Sequence, residues 1–314
     1  ARIEADRLAR DDASFAVAHV RDGLRALVVD GDPGQGRFSG DSGFLLAAVA
    51  PRGSVPSGIL PRRFTGEVTQ KDLRDADVVL ILNRTGLSPG EKEALEDFAR
   101  RGGGIAFFLG SRVQPDPYRG LTIFPAVLKA VKEAPSRAHL RIGENPHAAL
   151  DVFRGVEGSS LEQVGFDRYF ALEPAHGAVV AARFDDPDGT AAIVDSPAFK
   201  GRAAVFNMTA DRDWNDWPTD PSYPIVLQEW IRYLAPRRAK AAAVVAGDVL
   251  SWEPAAGVKY EVAPPVGPAV LVGVAGDTAA TAATAASVAS AASVVFGATH
   301  RAGFYLVLPS VRAQ

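Results

Sequence analysis

The sequence contains no cysteine among its 314 residues. This absence excludes disulfides, thiolate metal sites and a cysteine nucleophile, and it leaves the redox compartment undecided. Apolar runs are short, and none reaches the ~18 residues that a membrane-spanning helix needs. Positive charge is not in excess, because 34 Lys and Arg stand against 37 Asp and Glu, a formal net charge of −3 at pH 7. This balance predicts neither a nucleic-acid partner nor binding of this chain to a membrane surface.

Histidine is scarce, and its spacing matches neither H-x-x-H nor H-E-x-x-H, the pairs that commonly bind zinc. We therefore expect no metal site, and no motif in the chain indicates a cofactor. His147 follows Pro146 at a predicted helix start, where capping or turn packing is the expected role. The five histidines are His19, His139, His147, His176 and His300.

From Leu24 onward, the sequence alternates apolar strands with amphipathic helices. This spacing predicts right-handed crossovers and a mostly parallel α/β sheet of flavodoxin-like type, with helices on both faces. The clearest helix follows Ser88, its predicted cap, and begins at Pro89. Asp41 or Ser42 is the predicted cap of an earlier helix. The predicted strands are LRALVVDGD (24–32), ILPRRFT (59–65), DVVLILN (77–83) and IAFFLG (105–110).

After Pro117 the pattern changes. The segment LTIFPAVLKAVKEA (121–134) predicts a helix. Four later segments predict strands that extend the sheet in antiparallel fashion. The segment SYPIVLQEWIRYLAP (222–236) predicts a second strongly amphipathic helix that a proline closes.

Composition divides the chain into three predicted parts. Residues 1–22 predict two short strands from a preceding or shared β domain, residues 23–238 predict the α/β domain, and residues 239–314 predict a small Ig-like β-sandwich. We expect the boundary within APRRAKAAA (235–243), which is polar and rich in small residues. The sequence starts without Met and has no signal-peptide pattern, so we expect a piece of a longer protein.

The end of the strand IAFFLG is a corner at which many α/β enzymes present a nucleophile. Class I glutamine amidotransferase-like domains carry a cysteine there, in a pattern like G-x-C-x-G, and residues 24–235 resemble such a domain. In this chain Phe108 stands where the cysteine would be, with Gly110 and Ser111 after it. Ser111 has no evident His partner at the expected distance in the sequence. We therefore expect a degenerate corner with no catalytic residue, in which Phe107 and Phe108 pack on the two faces of the strand end.

Six longer segments carry a second resemblance. They are LVVDGDPG (27–34), LSPGEKEALEDFARRGGGIAFFLGSRV (87–113), FDRYFALEP (166–174), GRAAVFNMTADRDWNDWP (201–218), SYPIVLQEWIRYLA (222–235) and THRAGFYLV (299–307). They resemble Bat-type (aerotolerance regulator) proteins of the bacterial envelope, which usually carry a von Willebrand A domain before an amidotransferase-like domain and a β-sandwich. The resemblance implies a non-catalytic envelope module, periplasmic, whose only membrane contact is through flanking segments absent from this chain.

Two loops are candidates for ligand contact. The turn GDPGQG (31–36) matches neither G-x-G-x-x-G nor the phosphate loop with its Lys and Ser/Thr, although such a turn borders the usual ligand crevice of a parallel sheet. Loop 210–221 combines acids with tryptophans, which suit contact with a sugar or a protein; alternatively, the tryptophans are core plugs. Its acids do not have EF-hand spacing. The candidate contact residues are Asp30, Asp32, Asp211, Asp213, Trp214, Asp216 and Trp217.

Three hypotheses about function follow from these features. The main one is a non-catalytic binding or scaffolding region of an envelope protein, with an unknown protein or glycan partner. A second is a hydrolase that uses paired carboxylates at the carboxyl edge of the sheet. A third is a carbohydrate-binding module that uses Trp214 and Trp217. Facing carboxylates in a deep pocket would favour the second, a shallow aromatic face the third, and a filled corner the first.

Overall fold

A computed structural model of the chain describes residues 23–34, 36, 38, 40–53, 56–156, 159–236, 247–252, 260–272, 294–297, 299 and 304–309. The chain divides into two compact units: Arg21–Arg237, and a second that combines Ala1–Val20 with Arg238–Gln314. Across the described residues, no helix has the length and apolar character that crossing a membrane requires. The predicted strand pair 1–22 and most of the predicted boundary segment lie outside the described residues.

The first unit is built on an eight-stranded sheet. Its strands are β1 (Leu24–Asp30), β2 (Ile59–Phe64), β3 (Val78–Leu82), β4 (Gly104–Phe108), β6 (Leu140–Arg141), β8 (Val179–Phe184), β9 (Ala191–Ala198) and β10 (Gly201–Phe206). Two further strands, β5 (Ala126–Ala138) and β7 (Phe166–Pro174), pair with each other as a separate ribbon. The order in the sheet is β2-β1-β3-β4-β10-β9-β8-β6. Neighbours from β2 to β10 are parallel, and β9, β8 and β6 add an antiparallel extension. The predicted mostly parallel α/β sheet is therefore confirmed.

Helices cover both faces of this sheet. Helices α1 (Asp41–Val49) and α4 (Ser222–Leu234) share one hydrophobic core with the alternate strand residues that include Phe108. Helix α2 (Pro89–Arg100) shares the other core with the opposite set, and the short α3 is Pro115–Tyr118. The alternation of side chains along each strand makes the two cores separate, since successive residues point to opposite faces.

Helix α2 begins where the sequence predicts. The Ser88 hydroxyl accepts a hydrogen bond from the Glu91 backbone N–H, and the Glu91 carboxylate accepts one from the Ser88 N–H, which together form a capping box. Helix α1 begins differently, because its cap is Gly40 at φ 95° and no side chain caps it. The predicted capping role of Asp41 or Ser42 is therefore wrong, and the Asp41 side chain has another partner.

The predicted helix over 121–134 is also wrong. Most of this segment belongs to β5, which pairs with β7 in antiparallel fashion, with Leu128 opposite Leu172 and Val131 opposite Phe170. The Ala, Leu, Lys and Glu content of the segment favours a helix, but propensity is a weak preference that long-range pairing overrides. The ribbon buries Leu128 and Phe170 in the same core as α2.

The second unit contains short antiparallel strands. They are β11 (Leu250–Trp252), β12 (Tyr260–Ala263), β13 (Val270–Val272), β14 (Val294–Phe296) and β15 (Leu306–Pro309). Strand β12 lies between β13 and β15, and β11 pairs with β14. A small core is formed by Leu250, Val262, Val272 and Phe296. The antiparallel character agrees with the sequence, while the Ig-like sandwich stays a prediction.

Candidate functional site

The corner after β4 is filled with aromatic side chains. Phe107 and Phe108 are 1% and 2% exposed and lie in opposite cores, as predicted. Phe108 stacks on Phe206 of β10, with ring centroids 4.3 Å apart and an angle of 8° between the planes. Phe107 meets Tyr118 and Phe124 edge to face. Both residues at the end of β4 are therefore part of the packed interior.

The backbone of the corner is held on both sides. The Leu109 N–H donates to the Phe206 carbonyl, and the Asn83 N–H donates to the Phe108 carbonyl. Gly110 follows, and a Cβ placed there would come within 2.5 Å of Asn83 Cγ. Ser111 comes next and is exposed. Among the described residues, packed side chains thus surround Phe108.

The end of β1 carries the first two predicted contact residues. Asp30 is buried, and its carboxylate accepts hydrogen bonds from the Arg63 guanidinium at 3.0 Å and from the Asp32 N–H at 3.1 Å. The Asp32 side chain is 42% exposed and lies 3.3 Å from the Arg112 guanidinium. Asp30 therefore holds the loop after β1, and Asp32 is the one that reaches solvent.

Beside Asp30 and Asp32 lies a fully buried carboxyl group, that of Asp41. Its Oδ2 accepts a hydrogen bond from Asn83 Nδ2 at 3.1 Å, and its Oδ1 has no hydrogen-bond partner among the described residues. The pKa of Asp41 is raised to about 8, with burial as the largest cause; the negative charge of Asp211 acts in the same direction, and the hydrogen bond from Asn83 acts against both. Asp41 is thus a neutral acid at pH 7.

The loop after β10 brings in Asp211. This residue is largely buried, and its Oδ1 accepts a hydrogen bond from the Asp213 N–H at 3.0 Å. Burial is the main cause that raises the pKa of Asp211 above its usual range. Behind it, the buried Tyr223 hydroxyl donates to the Ala210 carbonyl at 2.6 Å, and burial raises the pKa of Tyr223 well above 10. Acids from three different elements therefore influence one another at this edge of the sheet.

The tryptophans of loop 210–221 are not contact residues. Trp214 and Trp217 are 2% and 0% exposed, so neither presents a face to solvent. Trp214 packs against Phe170, and Trp217 packs against Tyr223 while its Nε1 donates to the Ser222 hydroxyl at 3.0 Å. Of the two predicted alternatives, the structure supports core plugs and not contact residues, because Trp217 packs into one core and Trp214 into the other.

Asp216 and Asp213 have separate surroundings. Asp216 is half-exposed and forms an ion pair with Arg137, which also binds Asp167; Arg137 lowers the pKa of Asp216. Asp213 is exposed, and its backbone N–H binds Asp211. The described part of the chain has no group of three His, Cys, Asp or Glu that could hold a metal ion.

Several members of this site were not predicted as such. Asn83, Asp41 and Tyr223 belong to it, yet sequence reasoning gave Asp41 only a capping role. The one local signal was Asn83, an amide residue directly after an apolar strand at the carboxyl end of a parallel sheet. The other contacts depend on how distant elements pack, which no local pattern encodes.

An open groove borders this edge of the sheet along α1. Its volume is about 490 Å³, and the residues that line it include Pro33, Ser42, Leu46, Pro51, Arg52 and Arg63. The walls combine apolar residues with Ser42 and two arginines, and the described residues that line the groove include no carboxylate. This lining does not match what a carboxylate-dependent hydrolase needs.

A second buried polar cluster lies under α4. His147 caps a 3₁₀ helix (Ala148–Phe153), because its Nδ1 accepts a hydrogen bond from the Ala149 N–H at 3.2 Å. The proton of the neutral ring therefore lies on Nε2, which faces Asp195 Oδ2 at 3.3 Å. The Tyr233 hydroxyl donates to the same oxygen at 2.6 Å, and the ring of Trp230 stacks on that of His147. The predicted capping role of His147 is confirmed, and its partner Asp195 was missed.

Comparison with known proteins gives a fold and no family. No family model and no curated protein matches the chain. Among solved structures, the cytoplasmic proteins STM3548 and STM1381 from Salmonella typhimurium each match at a TM-score of 0.53 and 13% identity, over 68% of this chain and 100% of theirs. A β-galactosidase from Rahnella sp. R3 matches at 0.49 and 15% identity, over 80% of this chain and 36% of that one. At such identities the likeness to the two Salmonella proteins shows the α/β fold alone.

Proposed function

We propose that this chain is a non-catalytic binding or scaffolding region of a bacterial cell-envelope protein, built on an amidotransferase-like fold that lacks its nucleophile. The observation that carries this proposal is Phe108. By the resemblance to amidotransferase-like domains it stands where the nucleophile would be; it is buried, and it stacks on Phe206. Acyl transfer of the amidotransferase kind needs an activated thiolate or hydroxyl with a base beside it, and a phenyl ring offers neither.

The strand order supports the fold part of the proposal. The order β2-β1-β3-β4-β10 is that of a flavodoxin-like sheet, in which β1 and β3 flank the point where the order reverses. The corner after β4 lies at the same carboxyl edge. The envelope and periplasmic location rests on the resemblance of the six segments to Bat-type proteins.

The surface that would contact a partner is the carboxyl edge of the sheet. It exposes Asp32 and Asp213 and continues into the groove beside α1 with its two arginines. Both signs of charge on an open surface suit a protein partner. A glycan partner has less support, because sugar recognition of the predicted kind needs exposed indole faces and both indoles are buried.

Activity measurements test the non-catalytic part. The protein is incubated with glutamine and with p-nitrophenyl glycosides, and release of ammonia and nitrophenol is followed. We expect rates equal to those of buffer. Ser111→Ala and Asp211→Asn are the matched variants, because they remove the hydroxyl three residues after Phe108 and a buried acid whose raised pKa would suit a general acid. Release of ammonia from glutamine that increases with protein concentration and disappears in Ser111→Ala would indicate an acyl-transfer enzyme. Release of nitrophenol that disappears in Asp211→Asn would indicate a hydrolase.

A further inference from the structure

The groove beside α1 starts at an uncapped helix end. The N-cap of α1 is Gly40, and no side chain accepts a hydrogen bond from the first N–H groups of the helix. Ser42 and Gly43 of the first turn line the groove, and Gly43 has no side chain that could cover the backbone. Unbonded N–H groups and the helix dipole favour negative charge at this end. A helix end alone does not identify a ligand, so the side chains around it decide.

The Ser42 side chain supplies the observation that points to a ligand. Ser42 is 2% exposed, and its hydroxyl has no hydrogen-bond partner among the described residues. The hydroxyl oxygen is not sealed inside the protein, so the groove is the space that it faces. Polar side chains that are this buried are nearly always hydrogen-bonded, and a hydroxyl can donate as well as accept. A ligand with acceptor oxygens at the start of α1 would complete the bonding of Ser42.

Two arginines supply positive charge to the walls of the groove. The Arg63 guanidinium is held in place, because it donates to the Asp30 carboxylate at 3.0 Å and to the Pro33 carbonyl at 2.6 Å. A Cβ on Gly40 would lie 2.9 Å from the carbon of that carbonyl, so this guanidinium lies near the start of α1. No described group bonds to Nη1 of Arg63, which leaves donors for a ligand. Arg52, just after α1, is exposed and has no ion pair within the described chain.

The acids near this end of the groove do not cancel the positive charge. Asp30 is paired with Arg63, and Asp32 is paired with Arg112. Asp41 is protonated at pH 7, since its pKa is raised to about 8, chiefly by burial. The described lining of the groove contains no carboxylate. The charges around the groove therefore favour an anionic ligand.

From this arrangement we propose that the groove binds a small organic phosphate, with the phosphate group held by the first turn of α1, the Ser42 hydroxyl and the Arg63 guanidinium. Leu46 and Ala50 follow along α1 and form an apolar wall for the organic part of the ligand. The volume of about 490 Å³ lies within the range of small-molecule sites. This inference goes beyond the proposed function, because it concerns a small ligand and not a protein partner.

The donors favour a phosphate over a carboxylate. They come from three places, which are the backbone at the start of α1, a hydroxyl of that turn and a guanidinium at the end of β2. A phosphate monoester has three terminal oxygens that accept hydrogen bonds from diverging directions, whereas a carboxylate is planar and has two. Inorganic phosphate alone would leave the apolar wall without a contact, so we expect an organic ester.

Binding is measured with the whole chain and three probes, which are phenyl phosphate, inorganic phosphate and phenol. Titration calorimetry gives the Kd, and ¹H–¹⁵N spectra show which amides shift. The variants are Ser42→Ala and Arg52→Gln. The control is Arg101→Gln, since Arg101 is an exposed arginine just before β4 begins, at the opposite edge of the sheet. Sedimentation with vesicles of phosphatidylcholine and phosphatidic acid separates a lipid headgroup from a soluble phosphate.

We expect phenyl phosphate to shift the amides of Ser42, Gly43 and Leu46, and to bind about tenfold more tightly than inorganic phosphate or phenol. Ser42→Ala should weaken binding about tenfold, because it removes a hydrogen bond to a charged group. Arg52→Gln should weaken it about threefold, and Arg101→Gln should leave the Kd unchanged.

Three results would overturn the proposal. They are shifts that lie only outside the groove, a Kd that Ser42→Ala leaves unchanged, and sedimentation with the vesicles without binding of phenyl phosphate. The spectra of the wild-type protein decide the question if Ser42→Ala does not fold.

Discussion

Two regions lie at the carboxyl edge of the same sheet. One is filled with aromatic rings, and the other contains a buried polar contact. At the end of β4, the aromatic rings of Phe107 and Phe108 fill the corner, and the backbone of the corner bonds to the neighbouring strands. Between β1, β3 and α1, Asp41 and Asn83 form a buried polar contact with one oxygen unpartnered. Packed rings occupy the corner, while the polar region contains Asp41, a buried acid with a raised pKa.

The largest loss of stability should come from removing the Phe108 side chain, which fills the corner. Phe108→Ala removes a buried ring and its stacking on Phe206, and such substitutions cost ~3–5 kcal/mol. Urea denaturation measures the free energy of unfolding. Ser111→Ala, three residues further on and exposed, is the control and should lie within about 0.5 kcal/mol of wild type. A small loss in Phe108→Ala would mean that the corner is not packed as described.

Asp41→Asn tests the polar region by its pH dependence. The folded pKa of about 8 lies above the ordinary value of 3.8, so folding holds the proton. The stability that this group supplies is complete below pH 3.8 and is lost as the pH rises to about 8. Relative to wild type, Asp41→Asn should therefore gain stability progressively across this window. Melting temperatures from pH 4 to 9 measure the difference, and parallel curves would contradict it.

The contact between the two regions is tested by Gly110→Ala. A Cβ at 110 would lie 2.5 Å from Asn83 Cγ, and overpacking of this kind costs ~1–3 kcal/mol. Asn83→Gly suits the left-handed backbone and removes the obstructing side chain. In that background, Gly110→Ala should be nearly neutral. A double-mutant cycle measures this coupling, and additive losses would show that the two residues do not interact.

The smallest effect is expected for Asp216→Asn. Asp216 forms an ion pair with Arg137 in which both side chains are 45% exposed. Exposed pairs contribute little, so we expect a loss under ~1 kcal/mol that salt reduces further. Chemical denaturation at low and high salt measures it. A loss comparable to that of Phe108→Ala would place Asp216 in a structural network that the geometry does not show.

Sequence patterns predicted the part of the fold that local chemistry controls. The strand at 78–82 is apolar throughout, and α2 carries its start signal in Ser88, Pro89 and Glu91. Both follow from short-range rules. The helix predicted over 121–134 is wrong because the composition of the segment favours a helix, while its strand partner, β7, lies some forty residues away in the sequence.

The candidate site was predictable only in outline. Asp30, Asp32 and Asp211 follow strands, and the rule that ligands meet the carboxyl edge points to all three. The burial of Trp214 and Trp217 and the unpartnered oxygen of Asp41 arise from how α1, α4 and the loop after β10 pack on the sheet. The same residues would suit an exposed loop, so the sequence left both interpretations of the tryptophans open.

We propose that the corner is non-catalytic because it is packed, and not merely because a thiol is missing. The most direct test is ammonia release from glutamine by wild type and by Phe108→Cys, with the fold of the variant checked by circular dichroism. We expect background rates for both, since a thiol at 108 would face the core beside Phe206 and not a substrate. Turnover by Phe108→Cys that an alkylating reagent abolishes would contradict it and reveal an amidotransferase site that lacks only its nucleophile.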